Sequence, residues 1–380
     1  MASRPRLLVV GGGYVGCDVA RRLDRVMDVT LVEPKPAFLH APAMIRALVE
    51  PGLLQAATIP YDNLLRQGRV MRGRVASLHT QGATLADGSE ISSDFTLVAT
   101  GSSYALPFKS SADDIEAFLA AHWALSRRIA QARHIVIIGA GPVGTELAGE
   151  IAAARPGTNV TLVVAAPRPM PHHADRLGRA LLQRLQRLGV EVVKHRTAPD
   201  ISPGSGVRNG PVVLSDGREI EADLVLPALG AQPRTDLLAD VPGIRLDDSG
   251  RVITDAWLRP SPTVLPGLFT GGDMAATGDA MTIVATLRQT PYLAKILRVA
   301  AGGRLPDTLT PYTPWRDAPM LVPTGRRLGA SHLPLPKTLA WVATMRGPGD
   351  VLTRLAKGND LFVGKYRRQL GAPRVKGSLG

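Results

Sequence analysis

The strongest constraint on the fold is that the chain resembles itself. The segment Arg6-Leu7-Leu8-Val9-Val10-Gly11-Gly12-Gly13-Tyr14-Val15-Gly16 returns about 130 residues later as His134-Ile135-Val136-Ile137-Ile138-Gly139-Ala140-Gly141-Pro142-Val143-Gly144. Two further blocks keep the same order at nearly the same offset. Val29 to Glu33 matches Val160 to Val164. Asp87-Gly88 with Phe95 to Gly101 matches Asp216-Gly217 with Leu224 to Gly230. Each half reads as strand, glycine turn, helix, strand, hairpin and returning strand. Val15, Val19, Leu23 and Val26 share one helical face, as do Val143, Leu147 and Ile151. The two Asp-Gly pairs are hairpin-turn dipeptides. The pattern predicts an α/β chain with two doubly wound sheets.

Each glycine turn follows a strand and opens a helix, which is the setting of a Rossmann dinucleotide site. Gly11 makes the tight turn, Gly13 lets the backbone approach a diphosphate, and Gly16 lets helix and strand pack closely. The helix N-terminus offers unpaired N–H groups and partial positive charge to the phosphates. Glu33 ends the next strand, where a carboxylate can accept both ribose hydroxyls. Gly12, Tyr14, Val15 and Lys35 are grouped with these as candidate cofactor contacts. The second turn, Gly139, Gly141 and Gly144, has the same context, but Val164 stands where Glu33 stands in the first. Arg168 lies just beyond. Loss of the acid removes discrimination against a 2′-phosphate and an Arg can bind one, so this site is expected to tolerate NADPH. A solvated loop charge is the other reading of Arg168.

Small residues close each repeat, Thr100-Gly101 in the first and Leu229-Gly230 in the second, and let the chain pass close to a cofactor. Gly272-Asp273 ends a further strand before a helix expected from about Met281 to Ala300. There a carboxylate can accept a ribitol hydroxyl while a helix N-terminus faces a flavin. The first unit is therefore read as an FAD site and the second as a site for NADH or NADPH. Glu146, on the first turn of the second helix, is expected near the nicotinamide.

Composition narrows the chemistry. The chain has 380 residues and a single cysteine, Cys17, which excludes a disulfide framework and a redox-active pair of thiols within the chain. Cys17 itself follows Gly16 on a packed helix and reads as a buried structural thiol. Net charge is +13, which favours anionic partners. No helix-turn-helix, zinc finger or aromatic-interleaved basic sheet is evident, so a nucleic-acid-binding flavoprotein is the less supported reading. His172-His173 lies in a Pro-rich loop without further ligand spacing, and no metal is expected. No apolar run is long enough to span a membrane, no apolar signal region precedes the first strand, and Ala2 does not fit a myristoylation start.

The ordered motifs resemble those of the two-dinucleotide-binding flavoproteins, which include the pyridine nucleotide-disulfide oxidoreductases and type II NADH:quinone oxidoreductases. Within them the chain more closely resembles the apoptosis-inducing-factor-like ferroptosis suppressor family. That resemblance rests on Phe38-Leu39-His40, on Ile45-Arg46-Ala47-Leu48-Val49-Glu50, on Thr145-Glu146, and on Leu355-Ala356-Lys357-Gly358-Asn359-Asp360-Leu361-Phe362-Val363. It implies FAD contacts at Gly11 to Gly16, Glu33, Arg46, Val75 and Asp273. It implies Glu146 near the nicotinamide, and Lys357 and Phe362 near the flavin and a quinone pocket. Lys357 and Glu146 are the candidate catalytic residues.

The expected organisation is an FAD-binding unit in two parts, 1–108 and 244–303, an NAD(P)H-binding unit at 109–243, and a small α+β unit with a solvated basic tail at 304–380. The expected activity is transfer of hydride from NADH or NADPH to flavin, then of electrons to a quinone-like small acceptor. A ferredoxin or rubredoxin reductase and a natural-product tailoring flavoenzyme are the alternatives. A cytoplasmic location is expected, with peripheral contact at the inner face of the membrane as a further option for the basic tail.

Overall fold

A computed structural model describes residues 4–109, 113–334, 341–357 and 360–373. The first repeat forms a five-stranded parallel sheet in the order Leu268–Thr270, Phe95–Val98, Arg6–Val10, Asp28–Glu33, Arg69–Arg72. Parallel strands are covered on both faces, which is why Leu7 to Val10 is apolar throughout rather than alternating. Leu7 and Val9 enter one core with Val15, Val19 and Leu23 of the helix Tyr14–Leu23 and with Leu293 and Leu297 of the helix Ile283–Ala301. Leu8 and Val10 face the other way, against Val75, Leu85 and Ile91 of a three-stranded antiparallel sheet. The strand Arg6–Val10 has neighbours added on both sides, so its C-terminal end opens into the crevice where such sheets bind ligands.

The second repeat forms a four-stranded parallel sheet in the order Glu191–Lys194, Asn159–Val164, His134–Ile138, Leu224–Pro227. The α/β architecture with two doubly wound parallel sheets is the one the repeat calls for. Both Asp-Gly pairs sit in turns, with Gly88 at φ 84° and Gly217 at φ 81°, where glycine is at ease. The helix expected from Met281 starts at Ile283, because the Thr282 hydroxyl accepts the Ala285 N–H at 3.3 Å and caps it there.

The C-terminal region holds a hairpin, Met320–Pro323 with Gly329–His332, and the helices Pro348–Lys357 and Val363–Gln369. The first of these helices is turned inside out. Its buried face carries Asp350, Thr353 and Lys357, whereas Val351 is 44% and Leu355 72% exposed. The inward groups all have partners. Asp350 Oδ1 accepts from Arg184 Nε at 2.7 Å and from the Gly329 N–H at 2.9 Å. Thr353 and Ser331 share a 2.6 Å hydrogen bond, and Lys357 Nζ donates to Glu146 Oε1 at 2.8 Å. Arg184 is fully buried on the helix Asp175–Arg187 of the second repeat, and also donates to the carbonyls of Thr344 and Met345.

The basic tail expected to be solvated is in part structured. Lys365, Arg367 and Arg368 lie on the helix Val363–Gln369, and Arg367 is buried, donating to the Ala56 carbonyl at 3.0 Å and to that of Pro373 at 2.7 Å. Arg374 and Lys376 lie outside the described residues. No helix among the described residues is long and apolar enough to cross a membrane.

Candidate cofactor and active site

A cavity of about 390 Å³ opens at the C-terminal edge of the five-stranded sheet. Its walls include Gly11, Gly12, Gly13, Tyr14 and Val15 from the first glycine turn, Glu33 and Lys35 from the next strand end, Val75 from the small sheet, Thr100 and Gly101, and Asp273. Gly11 is at φ +105°, and a Cβ there would lie 2.6 Å from the Ala99 carbonyl oxygen. Gly16 lies beneath the turn, where a Cβ would overlap the Gly11 carbonyl oxygen. The second turn repeats both contacts: Gly139 is at φ +101° with Ala228 O 2.6 Å from its would-be Cβ, and a Cβ on Gly144 would overlap Gly139 O. At Gly13, Gly101, Gly141 and Gly230 a Cβ would meet only open space.

The cavity fits FAD. No side chain caps the helix Tyr14–Leu23, so its first-turn N–H groups are left for a diphosphate. Glu33 is buried beside them. Its Oε2 accepts the Gly12 N–H at 2.7 Å, its Oε1 accepts the Lys35 N–H at 3.1 Å, and the Lys35 ammonium pairs with it. At the other end Asp273 accepts from Ser102 Oγ at 2.6 Å and pairs with Lys109. Arg74 and Arg234 line the same cavity, and both are drawn to Asp113, Arg74 with Nε at 2.8 Å. Motif reasoning passed over Lys109, Arg74 and Arg234, since no spacing rule marks them.

Cys17 is buried, and its thiol donates to the Gly12 carbonyl at 3.2 Å. Burial, with the Glu33 charge nearby, pushes the thiol well above its ordinary range.

The second glycine turn opens the helix Pro142–Ala154, again without a side-chain cap. Val164 ends its neighbouring strand, fully buried. The following loop folds back on the turn, with the Met170 N–H donating to Ala140 O at 2.8 Å. Arg168 lies in that loop, packed over Gly178 and paired with Asp175. Its guanidinium is thus engaged rather than solvated.

The buried face of this helix carries two carboxylates one turn apart. Glu146 meets Lys357, whose ammonium also donates to the Leu321 carbonyl at 3.3 Å. Burial pushes the Glu146 carboxyl up, against the pull of Lys357. Glu150 holds Arg46 through two hydrogen bonds, 3.0 Å to Nε and 2.8 Å to Nη2, with both side chains 3% exposed. Arg46, Glu146 and Lys357 are not among the residues that line the cavity, so the structure brings these three together with Glu150 rather than with the glycine turn. A sequence signal that could have marked this cluster is the 146/150 spacing on an otherwise apolar helix.

His40 ties the cavity wall to the C-terminal block. Its Nδ1 shares a 3.0 Å hydrogen bond with the Tyr14 hydroxyl, and its Nε2 meets the Leu361 carbonyl at 2.7 Å. Burial lowers its pKa to about 4. Leu361 and Phe362 both adopt left-handed backbone, at φ 53° and 70°, and Asp360 secures them by accepting the N–H groups of Phe362 and Gly364. Phe362 is partly buried against the core beside Tyr366, with Lys365 over its ring at 5.7 Å.

Comparison with known proteins places this geometry. The apoptosis-inducing factor homolog B of Dictyostelium discoideum is 27% identical over 98% of both chains. Ferroptosis suppressor protein 1 of Xenopus laevis is 26% identical over 96% of both. The type II NADH:quinone oxidoreductase Ndh of Mycobacterium tuberculosis is 27% identical, over 81% of this chain and 75% of that protein. A ferredoxin reductase from Rhodopseudomonas palustris shares the fold, with a TM-score of 0.64 at 20% identity over 84% of this chain and 80% of its own. Residues 6–56 and 60–295 both match sequence profiles described as pyridine nucleotide-disulphide oxidoreductase. With its FAD and NAD(P)H sites, the chain belongs to the pyridine nucleotide-disulphide oxidoreductase family.

Proposed function

We propose that this oxidoreductase takes electrons from NADH or NADPH and delivers them to a small quinone. Bound FAD would supply the two-electron carrier between them. The observation that carries the reading is the single, buried Cys17. A chain with one inert thiol has no dithiol of its own through which to pass electrons to a disulfide. The quinone relative, similar over most of its length, supports a diffusible two-electron acceptor.

The protein's part is orientation and charge. The two glycine turns hold the diphosphates, and Glu33 and Asp273 are proposed to hold the ribose and ribitol. Lys357, held by Glu146 and oriented by the Leu321 carbonyl, is proposed as the donor to an acceptor oxygen that gains negative charge. Arg168 and the missing acid at Val164 are proposed to leave the nicotinamide site open to NADPH.

Anaerobic reduction with NADH and NADPH, followed by mixing with benzoquinones and with a ferredoxin, tests the reading. Rapid reoxidation by quinone is expected. Lys357→Met should slow that step at least tenfold and leave reduction by NADH within threefold. Unchanged quinone turnover in that variant removes Lys357 from the proposal. Fast reoxidation by ferredoxin alone replaces the quinone with a protein acceptor, a reading that the +13 net charge also favours.

A further inference from the structure

The FAD cavity poses an electrostatic problem at Asp273. A carboxylate meant to accept a ribitol hydroxyl shares one cavity with the glycine turn that receives a diphosphate. Gly272, its neighbour, packs against Val15 in the first turn of the phosphate-binding helix, with 3.3 Å between a would-be Cβ and Val15 Cγ2. The first turn of that helix, Tyr14 to Cys17, contains no basic residue. The helix itself contributes only about half a positive charge. Asp273 and the diphosphate therefore repel each other unless a cation lies close by.

The other cavity cations are committed elsewhere. Lys35 pairs with Glu33, and Arg74 and Arg234 face Asp113. Among the described lining residues, Lys109 is the cation that reaches Asp273. Its ammonium pairs with Asp273 Oδ2 and donates to Ser102 Oγ at 2.7 Å, and Ser102 Oγ donates to the same carboxylate oxygen at 2.6 Å. The ammonium is thus fixed by two partners and only about a quarter exposed, at 26%.

We propose that Lys109 is an FAD-site residue whose ammonium is the counter-charge that offsets the Asp273 carboxylate beside the FAD diphosphate. It acts through Asp273 and is a positioning residue. The inference rests on FAD occupying this cavity and not on the identity of the acceptor.

FAD-free protein is titrated with FAD by flavin fluorescence at pH 8, at low and high salt. Lys109→Met should weaken binding at least tenfold at pH 8 and low salt. The loss should shrink at high salt, because screening weakens the repulsion. Lys109→Arg should bind FAD within threefold of the parent, and Lys109→Met/Asp273→Asn should regain most of the lost affinity. A Lys109→Met protein that binds within twofold of the parent overturns the proposal. So does a loss that is the same at low and high salt and is not recovered in the double variant, which is what a purely structural role produces. Lys109→Gln serves the same comparison where the Met variant is poorly folded. No turnover is measured, so failure here is separate from failure of the quinone reading.

Discussion

Arg46 and Glu150 can be removed singly or together, and the difference between the two experiments is large. Both side chains are 3% exposed, and two parallel hydrogen bonds of 3.0 and 2.8 Å join them across 104 residues of sequence. Glu150→Leu takes from the buried Arg46 guanidinium the carboxylate that accepts two of its hydrogen bonds. Breaking a buried pair from one side costs about 3–5 kcal/mol. Arg46→Met/Glu150→Leu removes both charges and fills the space with apolar atoms, so its stability should be near that of the parent or above it by up to about 4 kcal/mol. Urea denaturation of the FAD-free proteins, followed by tryptophan fluorescence, measures all four corners of the cycle. A Glu150→Leu protein as stable as the parent refutes the reasoning, as does a double variant no better than that single one. Flavin content is a second readout. The family resemblance gives Arg46 to FAD, whereas the geometry gives it to Glu150. The double variant is expected to purify yellow, and a folded, colourless protein would return Arg46 to the flavin.

His40 makes stability depend on pH. Its folded pKa, about 4, lies below its ordinary value of 6.5, so the unfolded chain binds the extra proton; stability is complete above pH 6.5 and falls by about 3 kcal/mol as pH drops to 4. His40→Asn should flatten that part of a plot of urea midpoint against pH. Val164→Glu restores an acid at the second ribose site and should raise the preference for NADH over NADPH at least tenfold in kcat/KM; an unchanged ratio removes Val164 as a determinant. Gly149→Ala places a Cβ 2.6 Å from Thr324 Cα, a backbone atom that cannot turn aside, and should cost about 1–3 kcal/mol in a melt of the folded protein.

Local features were legible in the sequence. The two glycine turns, the Asp-Gly hairpins and the apolar strands each need particular residues at particular spacings, and the repeat presented them twice. Cys17 was read correctly as a buried thiol because its place on the helix fixed its surroundings. What was not legible depends on distant partners. Nothing around Lys109 marks it, because the carboxylate that gives it meaning lies 164 residues away. Arg46 sits in an apolar helix, and only folding shows that Glu150 is what it was buried for. Arg367 looked like one more charge in a basic tail, yet it reaches the Ala56 carbonyl.

The inside-out helix Pro348–Lys357 has a consequence for how that region finds its place. An apolar stripe sliding on an apolar surface loses little when rotated by a fraction of a turn, since dispersion has no direction. Asp350, Thr353 and Lys357 each need one particular mate, Arg184, Ser331 and Glu146. Rotation away from that alignment would strand all three at once, and would bury Val351 and Leu355 against charges. The helix therefore has a single angular setting, like a key cut on one edge. Its orientation is specified by which partners are present more than by how much surface is covered.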